Sequence, residues 1–406
     1  MTASKCMLLR KALLALCLCS SLALGIITPF ASEAQSKYSG TDSCQLRISL
    51  LTCTPGKELY SIFGHTAIRV VDNENDLVFN YGTFNFNDPD FYAKFVRGKL
   101  DYFLSVEAFT DFVYGYQWEQ RGITEQVLSL NCQEKHRLFE RLIRNAQEAN
   151  KFYKYDFLFD NCTTRAGDMI RKDNDRTFIT KNILQGPPPT FRELLHEYLD
   201  KGGLVWSKLG IDILLGSRID RTVNNTEFQF LPDNLMRGMD STAVDGISIV
   251  NDKSVILKQA WTVEGTAILP LWWTLSLAAI IFLFSWYHRH TYSRWQSVFD
   301  HIFFSLLGLL GCLLVFMWWG TDHASCRDNF NLLWCLPFSL AFIWLPNKFQ
   351  AIRKKYFLVQ TAGLLILMVC WKLLPQQLNI ALLPIVLLTA MRSWMIAKNG
   401  THFRTV

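Results

Sequence analysis

A cysteine at position 162 lies in the run Asp160-Asn161-Cys162-Thr163-Thr164-Arg165, where polar capping residues open a helix. Far upstream, Ser61-Ile62-Phe63-Gly64-His65-Thr66-Ala67-Ile68-Arg69-Val70 puts an imidazole at the start of an apolar, β-branched stretch that reads as a strand. A thiol and an imidazole brought together by a fold form a nucleophile–base pair. In the first turn of a helix the thiol meets unpaired backbone N–H groups and the positive end of the dipole, which favour thiolate. The same N–H groups can hold an oxyanion, with Asn161 and Thr163 in support. His65 is the expected base. Of the other histidines in the mixed region, His136 falls on a solvated helix face and His196 on a later helix. Asn80 and Tyr81, on the strand expected to pair with that of His65, are the candidates to orient the imidazole.

The elements that must position these groups follow from periodicity. Gln45 to Leu51, Ala67 to Val71 and Leu77 to Tyr81 read as strands, the last two joined by a turn at Asp72-Asn73-Glu74-Asn75. Phe91 to Leu100 and Val106 to Tyr116 read as helices, and Gly122 to Leu130 as a strand. Gln133 to Asn150 repeats Leu138, Leu142, Ile143 and Ala146 at helical spacing. A short strand is expected over Tyr155 to Phe159. Helices follow from Thr163 to Arg171, with Asp160 or Asn161 as cap, and from Phe191 to Lys201 beyond a Gly-Pro-Pro-Pro break. This alternation makes residues 35–267 an α+β domain.

Composition explains the rest. Half of the 406 residues are hydrophobic, and they cluster at the start and after Ala267. Lys5, Arg10 and Lys11 precede an apolar run from Ala12 to Pro29, so residues 1–34 read as a signal peptide or N-terminal membrane anchor. Five apolar spans, at about 268–287, 299–319, 331–346, 356–374 and 378–396, predict an all-α bundle over 268–396 and a tail over 397–406. Trp272, Trp273, Trp286, Trp318, Trp319 and Trp344 lie near their ends, as an aromatic belt does. Basic residues crowd alternate loops: Arg289 and Arg294, then Lys348, Arg353, Lys354 and Lys355, then Arg392, Lys398 and Arg404. By the positive-inside rule these loops and the C-terminus are cytoplasmic, so the α+β domain is extracytoplasmic. His323, Arg327, Asn329 and Asn331 gather on the outer loop, where they are candidates to bind a headgroup or amine. Cys44, Cys53, Cys132, Cys162 and Cys326 face an oxidising compartment. Up to two disulfides among the other four would leave Cys162 free, with the pairing open. A net charge of +6 without nucleic-acid, zinc or phosphate-loop motifs gives no footprint for nucleic acid, metal or cofactor.

His before Cys, with His after a first strand and Cys opening a helix, resembles the circularly permuted, NlpC-type papain-like enzymes. The combination of FGHTAIRV, the NYGTFNF stretch from Asn80, YDFLFDNCTTR, Leu214–Asp220, Phe230–Pro232, Thr321-Asp322-His323 and Asn329–Trp334 resembles the Lnb-type lipoprotein N-acyltransferases. That resemblance implies transfer of an acyl chain from a phospholipid, through a thioester on Cys162, to the N-terminal amine of diacylglyceryl-Cys lipoproteins at the inner membrane. Arg165, beside the cysteine, joins the outer-loop residues as a candidate substrate contact. A membrane-anchored cysteine peptidase or amidase, or a non-enzymatic envelope assembly factor, are the alternatives. The charge alternation makes its own prediction: a reporter fused after Val406 should be active only if it functions in the cytoplasm, and periplasmic activity would reverse the topology.

Overall fold

Seven antiparallel strands form the sheet on which the site is built, in the order β10-β5-β1-β2-β3-β4-β6. The computed structural model describes residues 45–172, 176–262, 268–287 and 294–399. The expected leader, Cys44 and the last seven residues lie outside the described residues. The strands are β1 (Arg47–Cys53), β2 (His65–Val71), β3 (Asp76–Phe84), β4 (Asp101–Ala108), β5 (Ile123–Leu128), β6 (Phe152–Lys154) and β10 (Val250–Leu257). The β2–β3 turn forms where expected, with Asp72 Oδ1 accepting from the amides of Glu74 and Asn75. The middle strands β1 and β2 are buried almost along their whole length, so they read as apolar runs rather than as an alternation.

Helices cover the sheet. Short α1 (Phe91–Val96) precedes β4, and α2 (Phe109–Trp118) follows it. Phe112 of α2 packs with Leu51, Cys53, Ala67 and Val78 on one face. On the other face lie α3 (Cys132–Ala146), whose Phe139 meets Phe79 edge-on, and α4 (Cys162–Arg171). Two expectations change here. Residues 97–108 are not helical: Gly98 takes a positive φ of 68°, ends α1, and β4 follows. Tyr155 to Phe159 is a turn, not a strand, closed by Asp156 Oδ1 accepting from the amides of Leu158 and Phe159. A three-stranded sheet, β7-β8-β9 (Phe178–Thr180, Thr242–Val244, Ile247–Ser248), lies apart from the main one. The helices α5 (Phe191–Lys201), α6 (Val205–Leu214) and α7 (Pro232–Asp240) complete this half.

The C-terminal half holds α8 (Pro270–Tyr287), α9 (Arg294–Trp319), α10 (Phe338–Ile343), α11 (Gln350–Val369) and α12 (Leu383–Asn399). Among the described residues three helices are long and apolar enough to cross a membrane: Pro270–Tyr287, Arg294–Trp319 and Ile380–Asn399. The expected third span, 331–346, is broken. Residues Phe330–Leu333 form a 3-10 turn, and Pro337 and Pro346 confine α10 to six residues. This segment still runs beside α9, with Leu340 against Gly308, Pro337 against Gly311, and Trp344 donating to Ser305. The close packing on α9 covers one side of this irregular segment, while Phe338 and Trp344 stay exposed on the other. In α11, Arg353, Lys354 and Lys355 occupy the first two turns, which lowers its hydropathy.

The two halves pack as one unit, and the joint is polar. Arg192 of α5 is fully buried. It donates to Asp212 at 2.8 Å, to Asp220 at 2.8 and 3.0 Å, and to the carbonyls of Leu215 and Gly216. Asn379 and Gln377, from the membrane half, donate to Asp212 and Asp220 respectively. Gly216 is essential to the fit, since a Cβ there would lie 1.9 Å from the Arg327 carbonyl oxygen. Removing one partner of a buried pair costs about 3–5 kcal/mol, whereas an exposed pair is worth about 1 kcal/mol or less. Arg192→Ala should therefore lower the thermal midpoint in detergent strongly, and Arg218→Ala, which breaks only a half-exposed pair with Asp328, should barely move it. Acid should also loosen this joint. Burial pushes the Asp212 carboxyl up, but the hydrogen bond and charge of His196, with Arg192 and Asn379, hold it below the ordinary value. A lowered carboxylate pKa stabilises above the unfolded-state value near 3.9 and fails as pH falls through the folded value. Asp212→Asn should flatten the pH dependence of thermal stability below about pH 4.

Candidate active site

Asn161 decides where the thiol sits. Its side-chain oxygen accepts from the amides of Thr163 at 2.7 Å and Thr164 at 2.9 Å, capping α4. Its amide nitrogen donates to the carbonyls of Phe157 and Phe230. Thr164 completes the capping box by accepting from the Asn161 N–H. Cys162 is thereby fixed as the first residue of the helix. A second tie aligns the helix with the sheet: the hydroxyls of Thr163 and Thr66 lie 3.0 Å apart and buried. Thr66 follows His65 on β2, so this contact holds thiol and imidazole in register.

The imidazole and the thiol lie close enough that each acts on the other's titration. Burial pushes the Cys162 thiol up, but the charge and hydrogen bond of His65, the Thr66 amide and the Thr163 hydroxyl outweigh it, and the thiol is held below the ordinary value. Burial pushes His65 down, and the charge and hydrogen bond of Cys162 with the bond to Asn80 carry it above the ordinary value. The two shifts favour thiolate beside imidazolium. Asn80 stands behind the imidazole with Oδ1 at 3.2 Å from Nε2, and its own Nδ2 donates to Glu107 at 2.7 Å. A chain Cys162–His65–Asn80–Glu107 results, in which the last two fix the ring.

The other expected residues divide. Tyr81 is not part of the chain: strand alternation turns it toward α3, where Asn145 donates to its hydroxyl. Asn161 is a structural cap with both of its side-chain groups engaged. It also takes the Thr163 and Thr164 amides, so the first-turn donor it leaves for an oxyanion is the Cys162 N–H. Arg165 is paired with Asp160 at 2.5 and 2.7 Å and stacked 3.4 Å over Tyr153. His196 donates to Asp212 at the domain joint and is not at the thiol. Asn331, wholly buried, donates to the Asp212 and Ile213 carbonyls and accepts from Trp334. Asn329 donates to the carbonyls of Ile213 and Leu214. Both bind the two halves together rather than offering groups to a ligand. Arg327 lies half-exposed on the same loop. His323 donates to the Phe95 carbonyl at 3.0 Å and faces a cavity.

Sequence reasoning missed Thr66, Glu107 and Tyr155. Tyr155 and Cys162 both approach Gly82, within 3.6 and 3.5 Å of where a Cβ would stand. The only signal for Thr66 was its place beside His65. Glu107 lay in a stretch read as helix. Among the cysteines, Cys53 and Cys326 are free and buried, and Cys132 is disulfide-bonded. Two disulfides among the four outer cysteines are therefore excluded. Cys53 is also inert, its thiol pushed up to about 12 mainly by burial. Among the described residues no group of three His, Cys, Asp or Glu side chains is placed to hold a metal.

The fold and site define an α+β domain carrying a thiol–imidazole pair, joined to a helical membrane domain. Residues 34–197 match the Lnb N-terminal periplasmic domain and residues 262–400 the Lnb transmembrane domain. The chain belongs to the Lnb family, with its periplasmic and transmembrane domains in that order. No curated protein and no solved structure matches it.

The electrostatics predict a pH profile for alkylation of Cys162 in the folded protein. Reaction follows the thiolate fraction, so the rate should rise with pH through a midpoint below the ordinary thiol value of about 8.5. In His65→Ala that midpoint should move above the ordinary value, because burial remains and its main opponent is gone. An unchanged midpoint would dissolve the pair.

Proposed function

We propose that this protein is a lipoprotein N-acyltransferase of the inner membrane, with phospholipid as acyl donor and diacylglyceryl-Cys lipoproteins as acceptors. The observation that carries the reading is a thiol activated by His65 in a domain jointed directly to membrane helices. The fold around it, with a histidine on an antiparallel strand and a cysteine opening a helix, supports a permuted papain-like arrangement.

In the first half-reaction His65 takes the Cys162 proton and the sulfur attacks a phospholipid ester carbonyl. The Cys162 N–H faces the developing oxyanion. As the C–O bond breaks, His65 returns the proton to the leaving alkoxide, releasing a lysophospholipid and leaving a thioester. In the second, the lipoprotein α-amine attacks the thioester and His65 accepts its proton. The C–S bond breaks and the thiolate is restored. Keeping water from the thioester favours the amine over hydrolysis. Asn80 holds the imidazole in both steps. No cofactor is required by this sequence.

Cys162→Ala should abolish N-acylation, and His65→Ala should reduce it by about 10²–10⁴-fold. The check is mass spectrometry of lipoprotein N-termini from cells carrying each variant as the sole copy. Lipoproteins that keep their N-linked acyl chain in the Cys162→Ala strain would refute the transferase, and altered wall peptides with intact lipoproteins would favour a peptidase or amidase.

A further inference from the structure

A cavity of about 250 Å³ lies between the periplasmic domain and the loop that follows α9. Leu59, Phe63, Phe157, Leu195, Leu215 and Ile219 make its walls apolar, and Ala324 and His323 close it from the membrane half. Tyr155 also lines it, and the same tyrosine stands beside Cys162 at Gly82. The cavity therefore begins one side chain away from the nucleophile.

Its surroundings connect it to the bilayer. Tyr155 stacks on Tyr102 at 4.4 Å between centroids, Tyr102 meets Phe84 at 5.3 Å, and Phe84 stacks on Phe91 at 5.8 Å. Phe91 opens α1, a helix without a buried residue, which exposes Tyr92 and Phe95. This aromatic rim is tied to the loop after α9. The Asp322 amide donates to the Arg97 carbonyl, and His323 donates to that of Phe95. Trp318 and Trp319 end α9 just before that loop, so the rim sits at the level where a spanning helix leaves the hydrocarbon. Exposed Arg97 and Lys99 flank it, with exposed Asp90, Asp101 and Asp322 close by in the same segments, so its charge is mixed. Exposed aromatic rings with adjacent cations are poorly suited to water and well suited to the headgroup boundary.

We propose that this cavity is the acyl-chain site of the donor phospholipid, entered from the bilayer past the aromatic rim of α1. The inference rests on the acyl-transfer reading for what happens at Cys162, but the binding of a chain here stands by itself. A chain lying against Tyr155 brings its ester to the thiol while its methylenes remain out of water.

Two measurements separate the claims. In the first, purified full-length protein in detergent is given short-chain and long-chain phospholipids without lipoprotein, and acyl-enzyme is read by intact mass. Ala324→Trp and Leu59→Trp fill the cavity from opposite walls. Each should depress long-chain relative to short-chain acylation by about tenfold or more, since each buried methylene contributes to binding. The iodoacetamide reactivity of Cys162 should stay at its wild-type rate, which reports an intact pair. An unchanged chain-length profile in both variants, with wild type acylated normally, overturns the site and leaves the transferase reading in place. In the second, a phospholipid carrying a diazirine in an acyl chain is photolysed with Cys162→Ala, where no turnover is needed. Cross-links on the segments containing Leu59 or Ala324 support the site even if wild type forms no acyl-enzyme, a result that sinks the transferase reading alone. Cross-links confined to the lipid-facing sides of α8 to α12 overturn the site.

Discussion

The buried guanidinium of Arg192 organises the polar surface on which the two halves meet. A cation without water must find its charge and hydrogen-bond partners within the protein. Asp212, Asp220 and two carbonyls supply them, and Asn379, Gln377 and Asn331 extend the network into the membrane half. A desolvated ion pair adds little net stability over an apolar joint, but breaking it is costly. Its effect here is to fix the two carboxylates that meet the membrane half. The periplasmic domain cannot slide over the membrane helices without breaking the bonds that Asn329, Asn331, Gln377 and Asn379 make across the joint.

Within that frame the site is a contest between desolvation and local partners. Burial alone would protonate the thiol and neutralise the imidazole, as the buried Cys53 thiol illustrates. Cys162 escapes because its partner bears the opposite charge and because the Thr66 amide and Thr163 hydroxyl also favour the anion. The threonine contact between α4 and β2 supports the pair, since bringing sulfur and nitrogen together demands registry between elements nearly a hundred residues apart. The cap has a cost for chemistry: in satisfying two first-turn donors, Asn161 narrows the oxyanion contacts to what remains.

Membrane attachment and the surroundings of the candidate site also share residues. The loop after α9 holds the joint through Asn329 and Asn331, carries Asp322 and His323 to the α1 rim, and closes the apolar cavity beside Tyr155. A segment that would otherwise be a plain connection between spans thus serves as wall and anchor. Its polar residues are engaged by backbone carbonyls, which is why they survive burial at the edge of a bilayer.

Local chemistry was enough to place the thiol and the imidazole on their elements. An Asn-Cys-Thr-Thr run declares a helix start because only short polar side chains satisfy first-turn amides, and a histidine opening an apolar β-branched run declares a strand end. Asn80 was legible through pairing with β2. The hydropathy of Pro270–Tyr287 and Arg294–Trp319 marked spans for the same reason: periodicity and transfer energy belong to the segment itself. What the chain alone could not decide was every contact made at long range. Tyr81 and Asn80 are neighbours with opposite fates, separated by strand alternation whose inward face depends on which helix packs there. Asn329 and Asn331 looked like a polar mouth and became structural bonds, because their partners are carbonyls of α6 more than a hundred residues away. The third span looked continuous in hydropathy, yet prolines broke it and packing against Gly308 and Gly311 made the break tolerable. Glu107 behind Asn80, and Tyr155 beside the thiol, become neighbours of the pair only once the sheet is assembled. Sequence fixes the chemistry a residue can do; tertiary structure decides which groups stand within a few ångströms of it, and therefore whether that chemistry is available.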